Sequence, residues 1–126
     1  MPKHIVRSEN APKPGGPYSQ AVVAEGKFVF VAGQVGTDPK TKNLPEGIAK
    51  QTEQALNNIK AILEAAGSKL ENVVRVGVYL RNISDFQPMN KIYETFFPQN
   101  PPARSTIEAK LAGEFLVEID CVALQQ

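Results

Sequence analysis

The spacing of apolar residues changes character several times along the chain, and each change marks an element. Residues 46–66 carry Ile48, Ala55, Leu56, Ile59, Ile62, Leu63 and Ala66 at helical spacing, and Gly67 supplies the stop. Residues 73–80 alternate instead, with Val74, Val76, Val78 and Leu80 predicted to face a core and Arg75, Gly77 and Tyr79 the other way. A second helix is predicted from a cap at Ser84 or Asp85 to about Phe97, burying Phe86, Met89, Ile92, Tyr93 and Phe96. Asn90 falls off that stripe, so its amide is either free for recognition or simply solvated. Asn100-Pro101-Pro102 then resets the chain to extended.

Upstream, residues 4–7 fit a short edge strand. Residues 9–18, ENAPKPGGPY, hold three prolines and two glycines and form a loop, longer than a plain connector needs. Tyr18 ends it, either as a packing anchor with an exposed hydroxyl or as part of a site. Residues 21–25 and 27–32 read as a hairpin about Glu25-Gly26. Phe28, Val29, Phe30, Val31 and Ala32 are apolar at both parities, which predicts a strand buried on both sides. Gly33 follows, either as a strand terminator or as a place where another group comes close.

The stretch 101–123 reads as two extended segments joined by a short Ala-Gly turn. Side chains alternate between faces along a strand, so Arg104, Thr106 and Glu108 share one face and Ser105, Ile107 and Ala109 the other. In the second segment Phe115, Val117, Ile119, Cys121 and Ala123 make an apolar face; Leu116, Glu118, Asp120, Val122 and Leu124 make a mixed one. A carboxylate between Leu116 and Val122 is costly to bury unpaired. Arg104, on the neighbouring segment, is its natural partner unless it awaits an anionic ligand.

The order β-β-β-α-β-α-β-β predicts an α+β fold, a mixed six-stranded sheet with two helices on one face. The other face is expected to collect Arg75, Tyr79, Arg104, Glu118 and Asp120 among Leu116, Val122 and Leu124. That face is too apolar for water and too charged for a monomer core. A homo-oligomer is therefore expected, with Arg104 and Glu118 at or near a subunit interface. No repeat or compositional break divides the chain, and 1–126 reads as one domain.

Composition narrows the chemistry. An apolar fraction of 42% and a charged fraction of 21% are ordinary for a globular chain. A formal net charge of +1 gives no general nucleic-acid or membrane surface. No apolar run approaches membrane-spanning length, and MPKHIVRSEN lacks the apolar core of a secretory leader. Cys121 is the one cysteine, which fits a reducing compartment, the cytosol or a mitochondrial matrix. With His4 the one histidine, a zinc site or a histidine-based triad has almost nothing to build on, and no metal or cofactor is expected. No glycine-rich phosphate-binding motif is present. Catalysis must come from carboxylates, Arg, Tyr, Ser or Thr, backbone N–H groups and water.

Taken together, SENAPKPGGPYSQA, VFVAGQVGTDPKT, QALNNIKAILEAAGSKLENVVRVGVYL, NISDFQPMNKIYETFF and PPARSTIEAKL followed by LVEIDCVAL resemble the RidA/YjgF/UK114 family of enamine/imine deaminases. The resemblance covers nearly the whole chain in order. It implies a chorismate-mutase-like fold, a barrel-like homotrimer and clefts between subunits. It also implies hydrolysis of 2-imino acids, such as 2-iminobutanoate and 2-iminopropanoate, to 2-oxo acids and ammonia.

Residue by residue, the resemblance gives the family arginine as Arg104, its tyrosine as Tyr18 and its water-positioning glutamate as Glu118. The substrate-binding glycine and asparagine become Gly33 and Asn90. The position where the family often has cysteine is Thr106, which keeps a backbone N–H but no thiol. Two departures stand out: the segment after Glu108 is one residue shorter than the usual E-V-x-R/K-L, and L-A-G-E replaces the usual L-P-K-D turn.

The implied chemistry suits the residue types. A guanidinium holds a carboxylate through two parallel hydrogen bonds, and an imine carbon is electrophilic enough to need only a positioned water. On the residues alone, Arg104 and Glu118 could equally be an interfacial salt bridge without chemistry. An endoribonuclease or translation-inhibitor role, attached to some family members, is the first alternative. A non-catalytic trimer that binds 2-oxo acids is the second.

Overall fold

A computed structural model describes residues 2–126 and follows the expected order of elements. The strands are β1 (Lys3–Val6), β2 (Ala21–Ala24), β3 (Phe28–Gln34), β4 (Val73–Leu80), β5 (Ala103–Glu108) and β6 (Val117–Leu124). The helices are α1 (Ile48–Ala65) and α2 (Phe86–Phe96). Helix α1 buries Ala55, Leu56, Ile59 and Leu63 along one stripe, and Gly67 ends it at φ 79, a conformation glycine takes without steric penalty. Helix α2 follows Asp85 but takes no side-chain cap from it.

The strands hydrogen-bond as a four-stranded sheet, β3-β6-β4-β5, and a separate ribbon, β1-β2. Strand β4 is one of the two inner strands, antiparallel to β6 and parallel to β5. The two C-terminal segments are therefore not a hairpin. Their connection runs across the end of β4, where the Leu80 carbonyl accepts from Ala109 N–H and Arg81 N–H donates to Leu116 O. The expected β2–β3 hairpin does not form either, because β2 pairs with β1 and β3 with β6. Chain-distant partners satisfy both ladders, so the Glu25-Gly26 turn joins two separately paired strands.

Both helices pack on one face of the sheet. The core between them holds Leu56, Ile59, Leu63, Val76, Val78, Met89, Tyr93, Ile119 and Cys121. A register shift between Val73 and Arg75 inverts the start of β4, so fully buried Val73 fills the place expected for Val74. Strand β3 is covered on one side only: Val31 is buried, whereas Phe30 is 77% exposed. Phe28, Phe30 and Ile107 leave an apolar surface on the face away from the helices. Among the described residues no helix is long and apolar enough to cross a membrane.

Candidate active site

Register decides which site residues can meet. Arg104 stands beside Val76, and Val76 beside Cys121, so the arginine lies on the helix-covered face. Glu118 stands beside Tyr79 and Asp120 beside Gly77, both on the opposite face. Placing Arg104 with Glu118 on one face was an expectation that assumed β5 and β6 were neighbours. With β4 between them, the sheet separates the two side chains.

Arg104 is 8% exposed and roofed by α2. Its Nη1 donates to Asn90 Oδ1 at 2.8 Å, while its Nε is buried without a partner. Its Cζ lies 4.7 Å from the Tyr93 ring centroid, 5.4 Å from that of Tyr18 and 5.8 Å from that of Phe86. Burial lowers its pKa from the ordinary value, and Tyr93 and Tyr18 act to raise it again; no carboxylate contributes. The group stays a cation at neutral pH. Asn90, expected off the buried stripe, is itself buried on the same side of α2 as Met89 and Tyr93. A short polar residue fits that stripe because the arginine below it supplies a donor.

Tyr18 reaches this group from the proline-glycine loop. Ser19 N–H donates to Pro102 O at 3.1 Å and Ser19 Oγ to Pro101 O at 2.5 Å, tying the loop to the start of β5. Gln20 Nε2 donates to Pro12 O at 2.8 Å, and its Oε1 accepts from Ser8 N–H at 2.6 Å. Tyr18 Oη accepts from Gly15 N–H at 3.1 Å. A side chain at Gly16 would begin 3.4 Å from Arg104 Nη2, so the loop lies directly against the guanidinium. A cleft of about 710 Å³ opens between this loop and Gln87, Asn90, Lys91 and Glu94 of α2, with Gly16 and Asn90 standing between it and the guanidinium. Thr106 shares the arginine's face, with its Oγ1 buried and unpartnered.

The second group sits across the sheet. Gly33 is inside β3, at the register shift between Val31 and Gln34, and not beyond the strand as expected. A Cβ there would lie 2.1 Å from Glu118 Oε2, so the missing side chain is what lets the carboxylate approach. Beside it, Tyr79 Oη donates to Asp120 Oδ2 at 3.0 Å, which raises the tyrosine's pKa. Among the described residues no cluster of three or more His, Cys, Asp or Glu comes together.

The chain matches known proteins along nearly its whole length. Residues 8–125 fit the family model described as Endoribonuclease L-PSP. A RutC family protein of Pyrococcus horikoshii is 48% identical over 126 residues, covering 98% of this chain and 99% of that one. A 2-iminobutanoate/2-iminopropanoate deaminase of Dermatophagoides farinae is 40% identical over 125 residues, covering 98% and 97%. The crystal structure of RidA from the Antarctic bacterium Psychrobacter superposes with a TM-score of 0.76 at 38% identity, covering 96% of this chain and 98% of that one. The chain belongs to the RidA/YjgF/UK114 family. Its α+β fold is the one seen in solved RidA proteins.

Sequence reasoning underrated three contributors within this RidA-type fold. Tyr93 and Phe86 were expected only as core residues of α2, yet both rings face the guanidinium. Their spacing with Asn90, at positions 86, 90 and 93, is a helical face and was readable as such. Ser19 left no signal, because the partner of its hydroxyl is a backbone carbonyl 82 residues away.

Proposed function

We propose that this protein hydrolyses reactive 2-imino acids, with their enamine tautomers, to 2-oxo acids and ammonia. The observation that carries the reading is Arg104, a buried cation with one amide partner and no carboxylate, whose partner Asn90 and neighbour Gly16 line an open cleft. Such a group gains most from a ligand that brings its own carboxylate. The 40% identical deaminase supports the same substrate class, 2-iminobutanoate and 2-iminopropanoate.

In this mechanism Arg104 anchors the substrate carboxylate, Asn90 holds the guanidinium plane, and Tyr18 closes the site. Gly33 and Thr106 offer backbone groups to the substrate. Glu118 accepts a hydrogen bond from a water and turns it toward the imine carbon. The water oxygen bonds to that carbon as one of its O–H protons passes to Glu118 and the C=N electron pair moves to nitrogen, which takes up a proton. The resulting carbinolamine breaks its C–N bond as its hydroxyl gives up a proton and becomes the C=O of the 2-oxo acid, and ammonia leaves with a proton relayed by Glu118. No metal or redox step is required by this balance.

Arg104 and Glu118 lie on opposite faces of one chain's sheet, so a site containing both takes them from two copies. A homotrimer with inter-subunit sites satisfies this requirement and covers Phe28, Phe30 and Ile107.

The test generates the imine from threonine with a dehydratase, traps it with semicarbazide, and lets the protein compete. Wild type should reduce semicarbazone formation, and Arg104→Ala should not, while sedimenting as the same oligomer. Undiminished semicarbazone with wild type across several amino acids would overturn the reading. Ligand binding without ammonia release would select a non-catalytic 2-oxo-acid binder. The ribonuclease description of the family model finds less support, since RNA affinity rests on phosphate neutralisation and the chain's net charge is +1.

A further inference from the structure

We propose that Phe86 and Tyr93 are positioning residues that keep Arg104 dry and aimed at its anion through their ring faces, an inference that rests on the anchoring role of Arg104 in the proposed function. A guanidinium needs hydrogen-bond acceptors or a counter-charge when it leaves water. Arg104 has one acceptor, Asn90 Oδ1, and its Nε has none. What surrounds it instead is aromatic: Tyr93 at 4.7 Å, Tyr18 at 5.4 Å and Phe86 at 5.8 Å from Cζ. The negative face of an aromatic ring attracts a cation without accepting a directed hydrogen bond.

This distinction matters for ligand binding. A carboxylate in the same place would neutralise Arg104 and compete with substrate, whereas a ring stabilises the cation and leaves its N–H groups unspent. Two rings of the cage come from α2, at positions seven residues apart, and Asn90 lies between them. One helix face thus fixes the plane of the guanidinium and screens it from water. Tyr93 is itself held by Phe97, their centroids 4.8 Å apart. The Tyr93 hydroxyl is buried without a partner, so it is the ring that the arrangement uses.

The rings act on substrate only through Arg104, which predicts a loss of binding and not of turnover. The experiment compares Phe86→Leu with Phe86→Tyr, and includes Tyr93→Phe and Arg104→Ala. It measures calorimetric Kd for 2-oxobutanoate, together with KM and kcat for the imine. Phe86→Leu should raise Kd and KM about 3- to 10-fold with kcat held within about twofold, the range expected for one lost cation–π contact. Phe86→Tyr and Tyr93→Phe should bind like wild type, because each keeps the ring.

Unchanged Kd in Phe86→Leu would overturn the inference. So would equal losses in Phe86→Leu and Phe86→Tyr, which would point to shape alone. Full activity in Arg104→Ala would instead remove Arg104 as the substrate anchor on which the cage depends. Turnover absent from wild type, with the Kd pattern intact, would overturn the deaminase reading and leave the cage standing.

Discussion

At the scale of single residues, the sharpest constraint is the contact between Gly33 and Glu118. A methyl group at position 33 cannot coexist with a carboxylate oxygen 2.1 Å away, so either the glutamate rotates or the β3 irregularity shifts. Gly33→Ala should therefore lower kcat/KM more than tenfold with little change in stability, because the end of a flexible carboxylate side chain can swing aside at small cost. Arg104 lies on the other face and keeps its own surroundings, so 2-oxobutanoate binding should weaken far less than turnover. Steady-state kinetics beside calorimetry would separate the two, and a wild-type kcat would remove Glu118 from the mechanism. Alternation along each strand correctly grouped Arg104 with Thr106 and Glu118 with Asp120. It could not say which face of the sheet each pair occupied, because that depends on strand pairing, which a local pattern does not contain. The roles of Tyr18, Gly33, Asn90 and Thr106 came from the family resemblance and not from spacing.

At the scale of elements, β4 and its two ends organise the sheet. Arg81 extends from the end of β4 and binds three carbonyls of the following connection: Phe115 O at 2.8 Å, Leu111 O at 3.4 Å and Gly113 O. The shortened segment after Glu108 is thus held by a cation that the sequence did not mark. Arg81→Met keeps the stem and removes the donors, and should cost about 1–3 kcal/mol in chemical denaturation. A loss near zero would mean the connection holds itself. Helices and strand order along the chain were legible because their periods are local. The swap of neighbours, with β4 between β5 and β6, was not, since Ala112-Gly113 looks the same in a hairpin and in a crossover.

Strand β6 also sets an alkaline limit. Burial, followed by the nearby Asp120 charge, pushes the Cys121 thiol up from 9.0 to about 12. Burial pushes Tyr93 upward as well. Between these values the unfolded chain has released a proton that the native thiol still holds, so stability falls as pH rises. The thiol's share, present in full below pH 9.0 and lost toward pH 12, is about 4 kcal/mol at about 1.4 kcal/mol per unit. Urea unfolding of Cys121→Ala across that window should show a slope shallower by about one proton. An unchanged slope would assign the alkaline loss to the tyrosines.

At the scale of the whole molecule, the decisive fact is that one sheet lies between two groups that the proposed chemistry needs together. Within the proposed trimer, each site takes Arg104 from one chain and Glu118 from its neighbour. Arg104→Ala and Glu118→Ala should each be inactive alone. Unfolded together and refolded as a mixture, they should regain activity, because some interfaces then pair an intact arginine with an intact glutamate. Random assembly draws the two residues from independent chains, so about one quarter of sites should be complete. The mixture should then deaminate at about one quarter of the wild-type rate, and separately refolded variants mixed afterwards should stay inactive until subunits exchange. A site built within one chain predicts no recovery at any mixing ratio. That result would dismantle the two-chain mechanism while leaving the fold, the family and the anchoring arginine as they are.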